Sequence, residues 1–140
     1  MLKKTLLSLV VSCGLATGAV AATDLKEDMG YLTAHLADVQ MGLFTNNVEQ
    51  TLKSTKLLKE HVHKVLGDED AVKKLLPAEV QHKASIAVNS AEIIEKNVKI
   101  IETAFADKNS RMINKQMKSQ KAFEEIQNQC FRCHNLVRDW

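Results

Sequence analysis

Near the C-terminus the chain carries Cys130-Phe131-Arg132-Cys133-His134. A Cys-x-x-Cys-His run is the attachment signature of a c-type haem. Its two thiols add to the haem vinyl groups as thioethers, and the adjoining imidazole coordinates the iron from the same side. On a helix Cys130 and His134 are i, i+4 neighbours, so both meet one bound group. Cysteine is rare, and a chain of this length holds such a pattern by chance on the order of one time in a thousand. Three other chemistries use such cysteines. A redox dithiol places its pair at a helix N-terminus, where the dipole lowers the thiol pKa, whereas this pair lies near a helix C-terminus. A zinc site needs a fourth ligand beside Cys130, Cys133 and His134, and the sequence offers no second Cys/His cluster. A plain disulfide leaves His134 without a role.

The elements that must position this motif read as helices. The chain has 140 residues, enough for one domain, with 45% hydrophobic but only 4% aromatic residues, five Gly and one Pro. That is poor material for a sheet and good material for long helices. The first expected helix runs from Asp24 to Leu43, with Leu25, Met29, Leu32, Leu36, Val39 and Leu43 in one narrow stripe. Thr23 or Asp24 is placed to cap it, and Glu27 to complete a capping box. The second starts at an Asn46 or Asn47 cap and ends at Leu66, with Gly67 as the residue that closes it. Asp68-Glu69-Asp70 and Pro77 bracket a linker, with a short helical turn over Ala71 to Leu76. The third, Ala78 to Ala106, keeps a 4-3 apolar repeat from Val80 to Phe105, the pattern of a bundle seam. The fourth, Ser110 to Arg138, puts Met112, Gln116, Phe123, Ile126, Cys130 and His134 on one face. Short connections between such helices predict an all-α fold, an antiparallel up-down-up-down four-helix bundle.

Residues 1–22 read as a signal peptide, leaving 23–140 as the helical haem domain. Lys3 and Lys4 precede an apolar run, and Ala19-Val20-Ala21 supplies the small residues of a cleavage site. Val10-Val11-Ser12-Cys13 loosely matches a lipobox, which would instead anchor the protein to a membrane through a lipidated Cys13. Either route predicts export, with the periplasm as the destination. The formal charge of +2 resides in Lys3 and Lys4, so the chain beyond them is neutral. No basic patch points to nucleic acid.

Antiparallel packing constrains the second axial ligand. His134 lies near the end of the fourth helix and Met29 near the start of the first, at about the same level along the bundle. Met29 is also on the apolar stripe. Met41 sits about 18 Å further along and off the stripe. Met112 faces inward at the far end, and Met117 is off its stripe. His35 is on a flank and His82 faces outward. His61 and His63 lie at the right end, but each is roughly 100° from its stripe centre, which suits a surface position. Residue spacing alone leaves two outcomes open: Met29 ligates the iron, or it packs as an ordinary core methionine beside an open iron face.

Asp24-Leu25-Lys26-Glu27-Asp28-Met29, with Leu32 and Leu36 following, resembles the opening helix of cytochrome b562, and His134-Asn135-Leu136-Val137-Arg138 resembles the axial-histidine segment of cytochrome b562 and the cytochromes c prime. The resemblance covers the mature chain in layout and its two ends in motif. It implies a four-helix haem bundle with His134 and Met29 as axial iron ligands. Two positions depart from it. Cytochrome b562 binds haem without covalent bonds, whereas Cys130 and Cys133 supply thioether links here, as in the c prime and c-556 group; and Val137 stands where an aromatic is usual. Cytochromes c prime leave the distal face open, commonly with an arginine on the first helix; this helix has no arginine and has Met29. The expectation is a monohaem c-type cytochrome (one covalent haem c with its iron) that passes single electrons between periplasmic redox partner proteins. No acid, base or nucleophile arrangement suggests an enzyme. The alternative is a five-coordinate, c prime-like protein that binds NO or CO. Apolar faces on the first two helices leave both a monomer and a homodimer open.

Overall fold

A computed structural model describes residues 25–137, and it is all-helical. Residues 1–22, Cys13, the Thr23 or Asp24 cap and Arg138 lie outside the described residues. The elements are α1 (Leu25–Phe44), α2 (Val48–Leu66), α3 (Glu69–Leu75), a 3-10 helix (Ala78–Lys83), α4 (Ala84–Ala106) and α5 (Met112–Val137). Packing is extensive between α1 and α2, between α2 and α4, and between α4 and α5, while α5 touches α1 only lightly. Among the described residues no helix is long and apolar enough to cross a membrane.

The α1–α2 connection shows how local chemistry fixes a close helix pair. Asn46 takes a left-handed φ of 55°, which asparagine tolerates through its short polar side chain. Asn47 then caps α2, its side-chain oxygen accepting from the Gln50 N–H at 3.0 Å. The turn brings Gly42 against Thr51, where a Cβ would lie 2.6 Å from the Thr51 hydroxyl and 2.8 Å from its backbone nitrogen. The nitrogen cannot rotate away. Gly42→Ala is therefore expected to destabilise the fold by about 1–3 kcal/mol, seen as a lower urea midpoint with an unchanged m-value.

The core runs along α4. Val80, Ala84, Ala87, Ala91, Ile94, Val98 and Ile101 are all buried, as the 4-3 repeat predicts. Leu58 and Val62 from α2, Val39 and Leu43 from α1, and Phe123 and Ile126 from α5 close around them. The stripe of α1 is not buried evenly. Val39 and Leu43 are buried, whereas Leu25, Met29, Leu32 and Leu36 are only partly so. Among the described residues, the first half of α1 is thus covered less completely than the second.

Several local expectations are corrected. The short helical turn expected over Ala71 to Leu76 is present but starts earlier: Asp68 caps α3 by accepting from the Ala71 N–H at 2.7 Å, and the two acids that follow lie in its first turn. The third helix is not continuous α. After Pro77 no side chain caps it, and its first residues tighten into the 3-10 form with the Val80 N–H on the Pro77 carbonyl. Gly67 closes α2 as expected, with φ at −78°, and a Cβ there would strike the His63 carbonyl oxygen. Met112 does not face inward but is 52% exposed. It opens α5, and helical side chains lean toward the N-terminus, so the first one leans off the helix end.

Candidate functional site

Cys130, Cys133 and His134 lie on the last turns of α5, along the face that buries Ile126 and Phe123 one and two turns earlier. Phe131, between the two cysteines, points to solvent. The three motif residues line a mostly apolar cleft of about 90 Å³. Its lining also includes Met29 of α1, Leu58 and Val62 of α2 and Ile94 of α4. The structure thus brings Met29, Cys130, Cys133 and His134 to one cleft, although they come from opposite ends of the chain. Thr33 and Ser90 add two hydroxyls to its lining, and Thr33 donates to the Met29 carbonyl at 2.8 Å.

The other methionines and histidines go elsewhere. Met41, Met112 and Met117 are exposed, and so is His82. His63 is exposed and pairs with Glu95 at 3.0 Å. His61 corrects the surface placement read from its stripe angle. Its side chain is 17% exposed, and its Nε2 donates to Asp28 Oδ1 at 3.1 Å. The reason is that α2 has two neighbours: one face packs on α4, and the flank bearing His61 packs on α1. The Asp28–His61 contact, outside the residues that line the cleft, was not anticipated from the sequence. A signal was present, since Asp28, His35 and Gly42 recur every seven residues and mark a second contact line on α1.

Both cysteines are free thiols. Burial pushes the Cys130 thiol above its ordinary pKa, and the neighbouring Cys133 adds to this. Burial alone raises Cys133. Reactive redox cysteines show the opposite tendency, with a thiolate stabilised by positive charge or a helix N-terminus. Among the described residues no group of three or more His, Cys, Asp and Glu side chains converges to hold a bare metal ion. A haem iron makes a smaller demand, because the macrocycle supplies four nitrogens and the protein only axial ligands.

The donor chemistry therefore fits a covalent haem: two protonated thiols, an imidazole on the same helix face, a thioether across the cleft and apolar walls. The enclosed space of about 90 Å³ is smaller than the roughly 300–1,000 Å³ of a typical cofactor pocket. The light α5–α1 contact is the seam along which the cleft would widen. A larger groove of about 360 Å³ lies between α4 and α5, but Lys118, Lys121, Glu124 and Glu125 line it, and it holds no cysteine, histidine or methionine. No family profile matches this chain, and no curated protein or solved structure is significantly similar to it.

Proposed function

We propose that this chain is an exported, periplasmic monohaem c-type cytochrome that transfers single electrons, built as an antiparallel up-down-up-down four-helix bundle of α1, α2, α4 and α5. The observation that carries the reading is the sharing of one apolar cleft by Met29 with Cys130, Cys133 and His134. A haem bound there supplies the one-electron couple. Cys130 and Cys133 would hold it through thioethers, and His134 and Met29 would be the axial ligands of its iron. The leucine and valine walls keep water from the iron and lower the local dielectric. A methionine–histidine pair favours the reduced state and raises the potential. With both axial positions filled by the protein, no site remains for a substrate, which suits an electron carrier in contact with periplasmic redox partners.

The test is the mass of the chain after export in a cell that matures c-type cytochromes. The expected product has lost residues 1–22, carries one haem, and keeps it in denaturant. A product with two titratable thiols and no haem would overturn the reading. A second reading also has an observation behind it. Met29 stands beside Leu32 and Leu36 on a half-buried stripe, the setting of a packing residue. In that case the haem is five-coordinate, and the protein binds NO or CO at the open face.

A further inference from the structure

We infer that the Asp28–His61 hydrogen bond is a positioning clamp that holds the Met29 thioether at the cleft; the inference rests on the haem ligation proposed above. Asp28 is only 3% exposed, although it lies in the first turn of α1, where a carboxylate could remain in water. Its Oδ1 instead accepts from His61 Nε2 on α2 at 3.1 Å. Tyr31 stacks on the His61 ring with centroids 5.5 Å apart, and the His35 ring lies tilted at 5.7 Å. The Tyr31 hydroxyl is in turn held by Glu27 at 3.2 Å. The imidazole is thus fixed by one polar contact and two rings, and His61 does not line the cleft that Val62 lines.

The clamp's position gives it this role. Asp28 and Met29 are consecutive on a helix, so their side chains diverge by about 100°. One faces α2 while the other faces the cleft. His61 and Val62 repeat the relation on α2. Fixing the Asp28–His61 pair therefore fixes the rotation of both walls. A rotation of α1 by ~10° would move a side-chain tip ~6 Å from the axis by ~1 Å, enough to break a metal–sulfur bond. Among the described residues, the contact of α1 with α5 on its other side is light. The stripe residues around Met29 are themselves only partly buried.

The test titrates the ferric protein with imidazole and follows loss of the far-red thioether-to-iron band. In His61→Leu and in Asp28→Ala, imidazole is expected to displace Met29 at about tenfold lower concentration, the equivalent of one charge-assisted hydrogen bond. Asp28→Asn keeps an acceptor oxygen in place and should stay within about threefold of wild type. Val72→Ala, a buried change on α3 at a residue that does not line the cleft, controls for general loss of stability and should leave the titration unmoved. Displacement unchanged in both His61→Leu and Asp28→Ala, or shifted equally by Val72→Ala, overturns the clamp and leaves the ligation standing. A wild-type protein without the band overturns the ligation, and the clamp with it.

Discussion

Met29→Ala is expected to abolish the far-red thioether band, turn the ferric haem high-spin and lower the reduction potential by on the order of 0.1 V. The physical basis is the sulfur's preference for ferrous iron. A thioether is a soft, neutral donor that stabilises the reduced state; alanine leaves water or nothing at that position. The effect on the fold is expected to be much smaller. Full burial of a methionine side chain is worth roughly 2–5 kcal/mol on truncation, but Met29 is only partly buried and already borders a cleft. Truncation enlarges an existing space rather than opening a new one, so a loss of about 1 kcal/mol or less is expected in the haem-free chain. The two readouts separate the readings of the site. A spectrum and potential untouched by Met29→Ala would make this methionine a packing residue and favour the gas-binding alternative. Optical spectroscopy and a redox titration of the paired proteins provide the measurement.

What the sequence made legible follows from its periodicity. The repeat from Val80 to Phe105 marks a helical segment packed along most of its length, and those positions are buried from Val80 in the 3-10 helix to Ile101 in α4. The stripe of α1 was equally visible, but not the change in its burial between Leu36 and Val39. A stripe records which residues are apolar, and not whether protein or a bound group covers them. The half-buried segment over Leu25, Met29, Leu32 and Leu36 is where the two would differ, and Met29, Leu32 and Leu36 line one cleft with Cys130 and Cys133.

The missed features share another cause: they depend on a second neighbour. His61 lies off its own stripe, and a helix drawn alone gives it to solvent. In the fold α1 covers that flank, and Asp28 meets it. Asp28 is a first-turn acid, a position whose residue type alone suggests only an interaction with the helix dipole. Gly42 looked like an end signal, yet it also permits the close approach of Thr51. Gly67 closes α2 as expected, by space rather than by a left-handed backbone. In each case residue type was informative and the partner was not, because partners come from distant parts of the chain.

Replacing both Cys130 and Cys133 with serine is the other change expected to have a large effect, and it separates attachment from ligation. His134 and Met29 remain, so haem should still bind, but acid–organic solvent should extract it completely, whereas the wild-type haem stays on the chain. The unfolding midpoint should then depend on haem concentration. A dissociable ligand stabilises by RT ln(1 + [L]/Kd), about 2.7 kcal/mol at a hundred times Kd, and that contribution disappears on dilution. The covalent protein shows no such dependence, because its haem stays on the chain in the unfolded state. A pH signature accompanies the change. In the haem-free wild type both thiol pKa values are raised by burial, so folding favours the protonated thiols. Their contribution is complete below the ordinary thiol pKa of 9.0 and is lost as pH rises through the raised values. Haem-free wild-type protein should therefore lose stability in alkali beyond what the serine variant loses. The haem-loaded wild type should match the serine variant, because thioethers do not titrate. An alkaline loss that persists in the loaded protein would mean that the thiols are still free, and covalent attachment would fail as an account of the Cys-x-x-Cys-His motif.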